Sequence, residues 1–166
     1  MKGVLLYLWQ LPQHVVGLVL IAALRAERAI GDGVPEYWKF ERKGAFSRFM
    51  SGVSLGRYIL LADNDSEDTV CHEWGHSRQS AYLGWFYLLV VGIYSAVFCN
   101  WQDRVFHKGW ALYDRLYWYY KTRWCERWAD LLGGVDRDSV LAGITRPHDA
   151  RYPAVKSQRK AGKTVC

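Results

Sequence analysis

The chain has 166 residues, 51% of them hydrophobic and 16% aromatic, including nine Trp and eleven Tyr. That length suits one domain with a real core, and the aromatic load is heavy for a soluble one, because Trp and Tyr collect where one end of a side chain is apolar and the other wet, as at a membrane interface. The net charge of +6 favours an anionic lipid surface, and no nucleic-acid-binding motif accompanies it, so no nucleic-acid partner is expected.

Residues 4–24 carry no charge and have about the length needed to span hydrocarbon. Gln10, Pro12, Gln13 and His14 fall in the middle of the stretch, and such residues face protein or water rather than lipid. The stretch therefore reads as a spanning helix packed on a partner, an interfacial helix or a buried core helix, with Arg25, Glu27 and Arg28 at its end. Residues 31–63 change character. Gly31-Asp32-Gly33 is turn chemistry, 37–41 alternates apolar with polar, and 56–61 reads as another strand, predicting a small antiparallel sheet of two or three strands. Asp65 or Ser66 then caps a helix whose first turn holds Glu67 and Asp68, favourable at a helix N-terminus.

That helix carries Cys71-His72-Glu73-Trp74-Gly75-His76, an HExxH pattern. Residues four apart share a helix face, so His72 and His76 can aim at one ion while Glu73 reaches a water beside it. A second charge-free stretch, 82–99, is at the short end of what can span. Residues 109–132 then look helical, with Trp110, Tyr113, Tyr117, Tyr120, Trp124, Trp128 and Leu131 forming one aromatic stripe, and Gly133-Gly134 stops that helix. No cysteine pair has CxxC spacing, which argues against a cysteine zinc site, and Cys71 points about 100° away from His72 on a helix, a packing position.

The expected fold is α+β and mainly helical, a single membrane-associated domain over 1–150. It comprises an N-terminal apolar helix within 1–28, a small sheet over 31–63 and catalytic helices over 66–134. Residues 151–166 form a basic, flexible tail.

A catalytic zinc keeps three protein ligands and an open position, so the chain must supply one more. HExxH followed by Glu126-Arg127-Trp128-Ala129-Asp130 resembles the gluzincin metallopeptidases, the thermolysin-like class. The resemblance implies that Glu126 binds Zn2+ with His72 and His76, and that Asp130 accepts the Nδ1–H of a ligand histidine. The wider chain is similar to a group of small bacterial proteins predicted to be membrane-linked zinc peptidases. The likeness runs through residues 9–13, 51–56, HEWGHSRQS, 83–88 and ERWADLLGGV.

The expected chemistry is hydrolysis of a peptide bond by a zinc-bound water that Glu73 deprotonates, with the proton passed on to the leaving nitrogen. The oxyanion needs a donor besides zinc, and Tyr119, Arg123, Tyr120 or His107 could supply it. Tyr119 and Arg123 have the better register, since Tyr119, Thr122, Arg123 and Asp130 share the Glu126 face if 109–132 is one helix. In the resembling class a strand before the active helix, here 57–61, often pairs with an extended substrate. The expected partners are thus a peptide or protein substrate and membrane lipid, and the basic C-terminal region favours a cytoplasmic site. Two other readings compete. One is a zinc hydrolase of a non-peptide amide or ester; the other is a non-enzymatic membrane binding or immunity-type protein in which HEWGH holds a structural ion.

Overall fold

The computed structural model describes residues 2–30, 36–41, 52–62 and 66–144. The turn read at 31–33 and the basic tail at 151–166 lie outside the described residues. Among those described, helices dominate and one small sheet packs beside them, an α+β architecture.

The first apolar stretch is two helices, α1 (Lys2–Trp9) and α2 (Leu11–Leu24), with a 79° bend between them. Its polar residues account for the bend. Gln10 donates to Ser80 Oγ at 3.0 Å, and Gln13 donates to the Gly84 carbonyl. Pro12 sits in the first turn of α2, where a backbone N–H has no helical partner to lose. Gln10, Gln13 and His14 are all buried, facing protein as their polarity requires. The expected single helix over 4–24 is thus corrected to two short ones. At 1.5 Å per residue, α2 is about 21 Å long, against roughly 30 Å of hydrocarbon.

Four strands form one sheet in the order β1-β2-β4-β3: β1 (Glu27–Ala29), β2 (Tyr37–Phe40), β3 (Gly52–Leu55) and β4 (Tyr58–Ala62). Outer pairs are antiparallel, but β2 and β4 run parallel with Trp38 opposite Leu60, so the sheet is mixed rather than antiparallel. Burial explains why β4 is central. Leu60 and Ala62 pack with Phe40 under α2, while Ile59 and Leu61 pack on Val70 of the next helix. A strand covered on both faces reads as a continuous apolar run. Residues 27–29, expected at the end of the first helix, form β1, and Gly52 opens β3.

Helix α3 (Glu67–Leu83) starts at Ser66, whose hydroxyl accepts from the Thr69 N–H at 3.4 Å. It ends at Gly84, which has a φ of +53° and lies against the Trp9 indole, so a side chain there would be both strained and blocked. A 3₁₀ turn (Gly84–Phe86) redirects the chain by 117° into residues 88–106, which run through π-helical turns at Leu88–Gly92 and Ser95–Trp101 into α4 (Gln102–Phe106). The two bends interlock: Trp9 Nε1 donates to the Ala81 carbonyl at 3.1 Å and Trp85 Nε1 to the Leu8 carbonyl at 3.0 Å. No single described helix is long and apolar enough to cross a membrane; two bent pairs, 3–24 and 67–106, pass that test together.

The expected continuous helix over 109–132 is also corrected. It comprises α5 (Leu112–Tyr117), a π-helical turn (Trp118–Thr122) and α6 (Trp124–Gly133), with Arg123 extended between the last two. The Arg123 guanidinium stacks 3.9 Å from the Trp118 ring and donates to Gln102 Oε1 at 3.0 Å, which holds the break open. Because the register resets at Arg123, Tyr119 and Glu126 are not related by helical periodicity, and the aromatic stripe is not one buried face: Trp110, Trp124 and Leu131 are exposed. Gly134, at φ +75°, ends α6 before α7 (Arg137–Ala142).

Candidate metal centre

The centre is made where α3 crosses α6 at backbone contact. A Cβ on Gly75 would run into the Ala129 carbonyl, and one on Gly133 into the Cys71 carbonyl. The two unspecified positions of HEWGH thus include a glycine for a steric reason, and the alanine of ERWAD lies across from it. This close approach brings His72 and His76 of α3 to Glu126 and Asp130 of α6.

Glu126 Oε2 lies 3.1 Å from His72 Nε2 and 3.2 Å from His76 Nε2. All three side chains are buried, Glu126 completely. Ligand atoms about 2.05 Å from a tetrahedral ion are roughly 3.3 Å apart, so the observed spacings fit a zinc-sized cation between them. Each remaining atom is held in place. His72 Nδ1 is 2.7 Å from Asp130 Oδ1, and Asp130 is gripped in turn by Arg137 through Nε at 3.0 Å and Nη2 at 2.6 Å. His76 Nδ1 is 2.8 Å from Gln79 Oε1, and Gln79 donates to the Cys125 carbonyl at 2.8 Å. Such partners fix the tautomer that leaves Nε2 free to bind a metal. Ser95 donates to Glu126 Oε1 at 2.7 Å.

Electrostatics in the metal-free chain follow from this geometry. Burial disfavours the His72 cation, yet hydrogen bonds to Asp130 and Glu126 more than offset it and push the pKa up to about 9. His76 is raised in the same sense, burial being outweighed by the Glu126 charge. Burial works against the Glu126 carboxylate, but the His76 charge and the His72 hydrogen bond win and hold its pKa well below the ordinary range. The pocket therefore favours a cation: protons occupy it in the absence of a metal.

Glu73 extends from the same helix toward β3. Its Oε2 accepts from Ser54 Oγ at 2.8 Å, and a Cβ on Gly52 would lie 2.6 Å from its Oε1. Glu73, His72, His76 and Glu126 line one cavity of about 450 Å³, walled also by β3, Tyr87, Ser95, Tyr119 and Tyr120. No protein-family model, curated protein or solved structure matches this chain.

Among the described residues, the expected ligands His72, His76 and Glu126 come together as a group able to hold a metal ion. Asp130 supports His72 as expected. Tyr119 and Tyr120 both reach the cavity. Burial raises both phenols well above their ordinary pKa, so each stays a donor. The Tyr120 ring stands edge-on to His72 at 5.0 Å and carries the Arg137 guanidinium on its face at 3.7 Å. Arg123 and His107 do not line the cavity: Arg123 packs on Trp118, and His107 packs between Trp110 and Trp118 near Asp103. The strand expected to meet a substrate, 57–61, has both edges taken by β2 and β3; the edge that lines the cavity belongs to β3. The structure adds Ser54, Gln79, Ser95 and Arg137, which no sequence motif marks. Only Gln79 carried a signal, lying three residues after His76 on the same helix face.

Proposed function

We propose that this chain is a zinc-dependent, membrane-associated peptidase of the gluzincin type. The observation that carries the proposal is the meeting of two imidazole nitrogens on one oxygen of a fully buried carboxylate, with Glu73 facing the same cavity. When bound there, Zn2+ supplies a Lewis acid that polarises a carbonyl and makes water a nucleophile near neutral pH. Glu73 takes a proton from the attacking water and delivers it to the leaving nitrogen, while Ser54 holds its carboxylate toward the cavity. Tyr119 and Tyr120, kept protonated by burial, donate to the developing oxyanion. An extended peptide adds to the cavity-side edge of β3, so main-chain hydrogen bonds supply affinity.

Association with membrane is supported by large apolar side chains left exposed on α1, α2 and residues 85–106, including Leu5, Val19, Phe86, Leu89 and Phe106. The basic residues after Arg127 favour a cytoplasmic site by the positive-inside tendency. The test is hydrolysis of a peptide library in detergent or vesicles by zinc-loaded wild type and Glu73→Gln. Cleavage by wild type alone supports the proposal; equal cleavage by both, with zinc retained, overturns it.

A further inference from the structure

Behind the cavity wall, the π-helical segment Ser95–Trp101 presents Ser95 and Cys99 to the first turn of α6, where Cys125 and Glu126 sit. Cys99 Sγ and Cys125 Sγ are 3.8 Å apart, and Cys125 Sγ is 3.4 Å from Glu126 Oε1, the carboxylate oxygen turned away from the histidines. All three residues are fully buried, and their ligand atoms lie within 4.8 Å of one another. Two thiolates bound at about 2.3 Å to a tetrahedral cation are roughly 3.8 Å apart, and a thiolate and a carboxylate oxygen on one such cation about 3.6 Å apart. The observed spacings match both without rearrangement. A disulfide would instead draw the sulfurs in to about 2.05 Å and would need an oxidant. π-Helical turns of this kind recur at functional sites.

We propose that Cys99, Cys125 and Oε1 of Glu126 form a second binding group for a thiophilic cation such as Zn2+ or Cd2+, separate from the histidine group. Glu126 then bridges two cation positions, one on each carboxylate oxygen. The Ser95 hydroxyl, 2.7 Å from Oε1, stands within reach as a further oxygen donor. The inference shares Glu126 with the peptidase reading but needs neither histidine nor any hydrolysis, so the two fail independently.

The test is an anaerobic titration of reduced, metal-free full-length protein with Cd2+, every version carrying Cys71→Ser and Cys166→Ser so that Cys99 and Cys125 are the remaining thiols, following the ultraviolet thiolate-to-cadmium charge-transfer band. The band is expected in wild type, is retained in the His72→Asn/His76→Asn variant, and is lost in Cys99→Ser and in Cys125→Ser. No band in wild type, or a band that survives both cysteine replacements, overturns the proposal. Should either cysteine variant fail to fold, cadmium-edge X-ray absorption of the His72→Asn/His76→Asn protein decides. Two sulfur scatterers support the site, and an oxygen-only shell removes it. Glu73→Gln abolishes hydrolysis under the peptidase reading and leaves this band unchanged.

Discussion

At the scale of single residues, the centre pairs each functional atom with one support. Under the proposed peptidase reading, Glu73→Gln keeps the shape and removes the base, so zinc content should hold while kcat falls about 10²–10⁴-fold. Asp130→Asn breaks the brace on His72 Nδ1 and should weaken zinc about 10–100-fold, read by competition with a chromophoric chelator. The pH dependence has a defined sign. The His72 contribution to metal-free stability is fully present below its ordinary 6.5 and is lost as pH rises through about 9. The Glu126 contribution is present above its ordinary 4.5 and is lost as pH falls toward its depressed value. Metal-free protein should therefore have its highest Tm between about pH 4.5 and 6.5. Under the proposed zinc reading, the metal would bind His72 in place of a proton, so binding at pH 7 should release protons, as calorimetry in buffers of different ionisation enthalpy would show. Binding without proton release would contradict the raised His72 pKa.

At the scale of elements, the close crossing of α3 and α6 is what assembles the ligands. Gly75→Ala places a methyl against the Ala129 carbonyl and should cost about 1–3 kcal/mol or more, lowering Tm and zinc affinity together. Gly109→Ala, where no atom lies within 4 Å of the added methyl, should change neither. The same crossing shows what was legible in the sequence. HEWGH and ERWAD each have their ligands at fixed helical spacing, so His72, His76, Glu126 and Asp130 could be read locally. Arg137, Ser95 and Ser54 reach the site through tertiary contacts that no local period records. Arg123 was misplaced because an extended residue between two helical segments leaves the aromatic spacing nearly intact while resetting the register. The mixed sheet escaped for a related reason: parallel pairing of β2 with β4 depends on a crossing connection, not on alternation within either strand.

At the scale of the whole molecule, two apolar stretches that read as candidate spans are each bent, and their bends are locked together by Trp9, Gln10, Gln13 and Trp85. Composition could show that these stretches were apolar; only the partners of Gln10 and Gln13 show why they turn. Phe86, Leu89 and Ile93 form an exposed apolar row, which under the proposed membrane association would enter a lipid interface. Replacing all three by Ser should reduce co-sedimentation with vesicles at least tenfold while leaving zinc content unchanged, since burying each such side chain is worth about 1.5–3 kcal/mol. Unaltered vesicle binding would place the membrane contact elsewhere.

The proposed chemistry depends on one cation held by His72, His76 and Glu126. Zinc-edge X-ray absorption with metal analysis on wild type and Glu126→Ala tests it most directly. Wild type should hold zinc with imidazole scattering from two histidines, and the variant should lose that imidazole-bound zinc. Full occupancy with the imidazole signal intact in Glu126→Ala would contradict it.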